Sequence, residues 1–138
     1  MIEVFLDSAY AIALAASNDQ YHERADTLAD RLEEDAVRLI TTRAVILEIG
    51  NALSRARHRK AAISLLEGME QDENIEIVPL SEELYEQALQ LYQNRPDKEW
   101  GLTDCVSFIV MQDRGLTEAL TSDAHFEQAG FRALLREK

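Results

Sequence analysis

The chain lacks the features that carry several common functions. One cysteine in 138 residues excludes an internal disulfide framework and fits a reducing, cytoplasmic setting. No apolar run approaches the roughly 18 residues of a membrane span. The start, MIEVFLDS, reads as a core strand rather than a signal. There is no GxxxxGK[ST] loop to cradle a nucleotide. No repeat, low-complexity tract or linker interrupts the chain. Bases are scarce: 14 Lys and Arg stand against 26 Asp and Glu, for a net charge of −12. That balance argues against broad nucleic-acid affinity, which comes mainly from Lys and Arg.

The acidity is local. Residues 17–36 hold seven acids and two bases, and residues 61–94 hold eight acids and no base. Both read as solvated helix faces. The remaining residues are close to neutral. At 46% hydrophobic and 29% charged, the composition is that of an ordinary globular protein. Residues 1–138 read as one domain, able to bury roughly two-thirds of its unfolded surface without disulfides or a structural metal.

Short β-branched runs predict strands at 2–6, 38–40, 75–78 and 118–121, with a last edge strand in FRALL at 131–135. Apolar residues at helical spacing predict helices over 9–16, 20–35, 43–56, 58–70, 82–94, 103–113 and 124–129. Ser8, Thr41 or Thr42, and Ser81 are the expected caps, and Gly115 the stop of the most apolar helix. Strands alternating with helices imply an α/β fold with a parallel sheet covered on both faces. Such folds bind ligands outside the carboxyl ends of their strands.

Four acids occupy unusual places. Asp7 follows the strand IEVFL, and Asp123 follows the strand EALT through Ser122. Asp104 opens the most apolar helix, in GLTDCVSFIVM. Glu48 sits on the apolar border of RAVILEIGNAL. Each has a plain structural reading. Asp7 and Asp123 would cap helices. Asp104 would answer a helix dipole. Glu48 would reach solvent or pair with Arg43 or Arg55. Together they have another reading. In a parallel sheet three of them fall at one edge and Glu48 enters from a helix that starts there, and carboxylates converging without bases repel and raise one another's pKa. A hard divalent cation removes that cost.

The contexts of these acids, LDSAYAIAL, ILEIGNAL, LTDCVSFIVM and ALTSDAHFEQAGF, resemble the four motifs of PIN-domain proteins, and most of all those of VapC-type toxins. The resemblance spans essentially the whole chain, with all four motifs in order. It implies a three-layer α/β/α fold with a central parallel sheet. It also implies magnesium- or manganese-dependent endoribonuclease activity. Asp7, Glu48, Asp104 and Asp123 match the acidic quartet of that family, with Asp7 and Asp104 as the most direct metal ligands. Ser8 and Ser122, beside two of them, would orient water at the metal. The resemblance further implies a homodimer and a small protein antitoxin. Exposed apolar residues on the helices at 20–35 and 43–70 are where such a partner would dock. Two alternatives stay open: a PIN nuclease working in RNA processing outside toxin–antitoxin systems, and a catalytically silent protein-interaction module.

Two basic segments are candidates for RNA contact. Arg55, Arg57, Arg59 and Lys60 form the densest run, and Trp100, in RPDKEWG, would stack an unpaired base. His22, His58 and His125 are scattered. His125 reads as a packing or surface residue, and Cys105 as a buried small hydrophobe.

Overall fold

The alternation of short β-branched runs with amphipathic segments produces a five-stranded parallel sheet in the computed structural model, which describes residues 2–137. Met1 and Lys138, the ends of the expected 1–138 span, lie outside the described residues. The strands are β1 (Glu3–Leu6), β2 (Arg38–Thr42), β3 (Ile75–Val78), β4 (Glu118–Leu120) and β5 (Arg132–Ala133). They lie in the order β3-β2-β1-β4-β5. Every pairing is parallel, with Phe5 opposite Ile40 and Leu6 opposite Leu120.

Among the described residues seven α-helices flank the sheet in a three-layer α/β/α arrangement. They are α1 (Ser8–Ala15), α2 (His22–Glu34), α3 (Arg43–Ala52), α4 (Ala56–Gln71), α5 (Glu82–Asn94), α6 (Leu102–Arg114) and α7 (Ala124–Gln128). Ser81 caps α5 and Thr42 caps α3, each accepting from the amide three residues on. Gly115 ends α6 at φ +65°, a backbone region open mainly to glycine.

Several boundaries depart from expectation: α3 ends at Ala52 rather than at 56 and α4 starts at Ala56 rather than at 58, and two strand boundaries move for local physical reasons. β2 runs on to Thr42 because Thr41 and Thr42 are fully buried and Thr41 Oγ1 donates to the Leu6 carbonyl at 2.7 Å. The expected strand at 131–135 shortens to Arg132–Ala133. The chain then enters a 3-10 turn that buries Leu134 and Leu135, with the Leu135 amide on the Thr121 carbonyl.

The topology sets the site. From β1 the chain builds outward to β2 and β3, then crosses back to place β4 on β1's other side. The order reverses between β1 and β4, and a crevice opens there at the strands' carboxyl ends. An aromatic cluster fixes the elements around it. Phe108 of α6 meets Phe126 of α7 edge-on at 5.0 Å, and Trp100 meets Phe108 likewise. Phe5 of β1 lies 6.2 Å from Phe126. Such pairs add about 0.5–1.5 kcal/mol each beyond their buried area. Phe5, Phe108 and Phe126 lie within four residues of Asp7, Asp104 and Asp123, so this core holds those acids' backbones in register.

Candidate functional site

Asp7 leaves β1 in extended conformation, its amide continuing the ladder onto the Leu120 carbonyl. Asp123 stands at the start of α7, three residues beyond β4. Asp104 lies in the first turn of α6, and Glu48 in the middle of α3. All four line a single cavity of about 510 Å³, together with Ser8, Ser122, Thr103 and His125. Among the described residues no Lys or Arg lines it. Arg43, one expected partner of Glu48, instead pairs with Glu70.

Each carboxylate is oriented by a protein donor. Thr121 Oγ1 donates to Asp7 Oδ2 at 2.7 Å. The same oxygen accepts from the Asp123 amide at 3.0 Å, so one buried hydroxyl couples two of the acids. Ser8 Oγ donates to Glu48 Oε1. Asp104 Oδ2 accepts from the Gly101 amide at 3.2 Å and faces His125 Nδ1 at 3.1 Å. Asp123 Oδ1 accepts from the His125 amide at 2.8 Å and so caps α7. In Glu48, Asp104 and Asp123 the other oxygen has no protein donor among the described residues. A carboxylate that caps or pairs through one oxygen still offers a lone pair to the cavity, and the structural and functional readings of Asp104 and Asp123 are compatible.

Electrostatics follow from this placement. Asp7 is 5% exposed. Burial, reinforced by the charges of Glu48 and Asp104, pushes its pKa up to about 7, against the opposing Thr121 hydrogen bond. Burial also raises Asp104, with Asp123 adding to it and the His125 contact opposing. The cavity thus concentrates anionic oxygens that solvent and protein leave under-compensated. That donor set fits a hard divalent cation: all-oxygen ligands, several of them convergent, with room for water.

Some expectations need correction. Trp100 is buried, its indole N–H donating to Gln128 and its face under Arg95, so it is not offered to a base. Its place in the aromatic cluster explains this, since a large ring gains more from the core than from water. Arg55, Arg57, Arg59 and Lys60 are exposed on and just before the first turns of α4, and none lines the acidic cavity. Arg59 donates to the Ser54 carbonyl, and Arg57 to His58. Ser8 does not cap α1; it holds Glu48. His125 is not a packing residue: its ring nitrogen lies between Asp104 and Asp123. Cys105 is fully buried, as expected of a small hydrophobe. Among the large apolar residues of the two expected docking helical regions, Leu47 and Ile63 are exposed, and α2 contributes none among the described residues. A groove of about 360 Å³ beside the cavity is lined by Leu47, Leu80 and Tyr85 and shares Glu48, Leu102 and Thr103 with it.

Thr121 and His125 were the residues that sequence reasoning missed. Thr121 gave one signal, a hydroxyl ending a strand two residues before an acid. His125 gave another, an imidazole one helical step from that acid.

The chain is similar to the 23S rRNA-specific endonuclease VapC20 of Mycobacterium tuberculosis, with 25% identity over 128 residues, covering 93% of this chain and 95% of the relative. Its fold superposes on the crystal structure of that protein, a Sarcin-Ricin loop cleaving toxin, with a TM-score of 0.81 over the same shares. The fold is also that of VapBC2 from Rickettsia felis, at TM-score 0.66 and 15% identity, covering 96% of this chain and 97% of that one. FitAcB from Neisseria gonorrhoeae matches at TM-score 0.64 and 22% identity, covering 94% of each chain. Residues 4–132, which carry all four acids and all but the two end residues of the sheet, match the family model of the PIN domain, and the chain belongs to the PIN domain family.

Proposed function

We propose that this chain is a divalent-metal-dependent endoribonuclease that hydrolyses RNA phosphodiester bonds and acts as the toxin of a toxin–antitoxin pair. The observation that carries the reading is the convergence of Asp7, Glu48, Asp104 and Asp123, from four separate stretches of sequence, on one cavity lined by no Lys or Arg among the described residues. The mycobacterial relative's action on 23S rRNA supports RNA as the substrate class. A particular folded RNA is expected rather than broad degradation, because so acidic a chain has little general affinity for phosphate.

In this reading the four carboxylates hold Mg²⁺, with Mn²⁺ able to replace it. The ion would activate water at neutral pH and stabilise charge on the phosphate oxygens. Thr121 fixes Asp7 against Asp123, and Ser8 fixes Glu48, so these carboxylates are held at the cavity without reorganising. Ser122 lines the same space and is available to orient water. The burial of Asp7 excludes solvent behind the site. Arg55, Arg57, Arg59 and Lys60 lie outside the cavity and would track the RNA backbone away from the cleaved bond.

The partners proposed are a protein antitoxin and a second copy of this chain. Exposed Leu47, Leu80 and Tyr85 beside the cavity support an apolar protein contact there. A cytoplasmic location follows from an RNA substrate. No helix among the described residues is long and apolar enough to cross a membrane.

The test is incubation of purified protein with total cellular RNA in Mg²⁺ or Mn²⁺, beside an Asp104→Asn control. Discrete fragments, absent with the variant and with chelator, are expected. Fragments of equal yield from the variant would overturn the assigned site, and intact RNA in every lane would overturn the activity. Growth arrest on expression, relieved by Asp7→Asn, tests the toxin role.

A further inference from the structure

His125 stands out in the cavity because, among the described residues, it is the only lining side chain with a nitrogen donor. Its Nδ1 lies 3.1 Å from Asp104 Oδ2 and 3.4 Å from Asp123 Oδ1. One donor atom from each of the three residues lies within 4.8 Å of the other two. Neighbouring ligand atoms on an octahedral ion, with bonds of about 2.1 Å, sit about 3 Å apart. The two measured separations, which in the ion's absence are those of a hydrogen bond and an ion-pair contact, also match adjacent ligand positions. The backbone makes the arrangement reproducible. Asp123 Oδ1 caps α7 through the His125 amide at 2.8 Å, so the carboxylate and the imidazole leave one turn with fixed relative placement. The ring is about one-third exposed, so it faces the cavity rather than the core.

We propose that His125 Nδ1 is a metal ligand beside Asp104 and Asp123, and that this nitrogen makes the cavity bind a first-row transition ion more tightly than Mg²⁺. The inference rests on the reading of the cavity as a metal centre and specifies the ion that centre selects. The chemistry is direct. Mg²⁺ takes oxygen donors and keeps its waters, whereas imidazole is a ligand of transition ions. With Nδ1 on the ion, the neutral ring carries its proton on Nε2. Asp7 and Glu48, whose donors are all oxygen, complete the site without contributing to this selectivity.

The experiment uses the full chain with Mn²⁺ and Mg²⁺ alone as probes. Calorimetry gives the affinity of each ion for the wild type, for His125→Asn and for Asp7→Asn. Asparagine keeps a polar group able to reach Asp104 but removes the nitrogen ligand. Pulsed electron paramagnetic resonance on bound Mn²⁺ reads nitrogen coupling directly. Wild-type protein labelled with ¹⁵N-histidine makes that measurement independent of any variant's folding. The expected result is histidine-nitrogen coupling in the wild type and Mn²⁺ binding at least about tenfold tighter than Mg²⁺. In His125→Asn the coupling should vanish and Mn²⁺ affinity fall about tenfold, with Mg²⁺ affinity changed by less than about threefold. Mn²⁺ that binds in an Asp7-dependent manner without nitrogen coupling, at an ion preference unaltered in His125→Asn, would overturn the role of His125 while leaving the metal centre standing. Failure of the wild type to bind either ion would overturn both.

Discussion

Glu76 and Asp7 are both carboxylates on the central sheet, and their surroundings push them in opposite directions. Glu76, on β3, lies between Arg114 and Arg38, and the Arg114 hydrogen bond holds its carboxyl below the usual range. Asp7, at the end of β1, has no Lys or Arg beside it among the described residues, and burial lifts it to about 7. Glu76 is an acid satisfied by the fold. Asp7 and its three neighbours are acids that the fold assembles and leaves under-compensated. Proteins rarely keep such a group without a use for it, and perturbed carboxyls in a cleft mark candidate functional sites. The presence or absence of a base, more than the number of acids, separates the two regions.

The sharpest way to break the comparison is catalytic. Asp7→Asn or Asp104→Asn should lower RNA cleavage by about a thousandfold or more, since the ion supplies several kcal/mol of transition-state stabilisation and each 1.36 kcal/mol is about tenfold. Glu76→Gln should leave cleavage within about twofold. Single-turnover rates on one RNA would check both, and similar losses in the two regions would erase the distinction.

Stability against pH comes next. Asp7 binds its proton more tightly folded than unfolded, because its pKa rises from 3.8 to about 7. Between those values the folded state carries more protons, so the Asp7 contribution to stability is full below about pH 4 and is lost as pH rises through about 7. The gap corresponds to at most about 4 kcal/mol. Metal-free Asp7→Asn should therefore match the wild type near pH 4 and exceed it by a few kcal/mol at pH 8, in denaturant melts of the two proteins side by side. Saturating Mg²⁺ should close the gap by stabilising only the wild type. A constant difference across pH would show that Asp7 is not strained by its burial.

Thr121→Val keeps the shape of the side chain and removes the hydroxyl shared by Asp7 and Asp123. Mn²⁺ affinity should fall about 10- to 100-fold, the usual cost of losing a partner that orients a ligand. Titration calorimetry measures it. The smallest effect belongs to the paired region. Glu76→Gln should cost about 1 kcal/mol or less, shrinking in 1 M salt, because its partners are partly exposed and screened. The Asp7→Asn gain should survive that salt, because the buried group is screened little.

Much of this was legible in the sequence. Regular alternation made the α/β class readable, and the helix at 82–94 and the strand at 75–78 fall where expected. The four acids were visible because each interrupts an apolar pattern at a strand end or on a helix, where a charge needs a reason. Trp100 and His125 were misread because side-chain direction was the question. A loop tryptophan and a histidine after an acid look alike on paper whether they face water, core or cavity. Trp100 turned inward because Phe108 and Gln128 were there to receive it. His125 turned toward the acids because Asp123 caps its own helix through the His125 amide.

By itself the sequence determined the periodicities, a cap at Thr41 or Thr42 and another at Ser81, the stop at Gly115 and the placement of acids without neighbouring bases. These depend on residues a few positions apart, and so on local physics. Only the tertiary structure decided that Glu48, 41 residues from Asp7, shares its cavity. It alone decided that Thr121 bridges two acids and that Arg43 turns away to Glu70. Those outcomes depend on the strand order and on which helix packs beside which. They are fixed by burying one common core, a property of the whole chain that no window of the sequence contains.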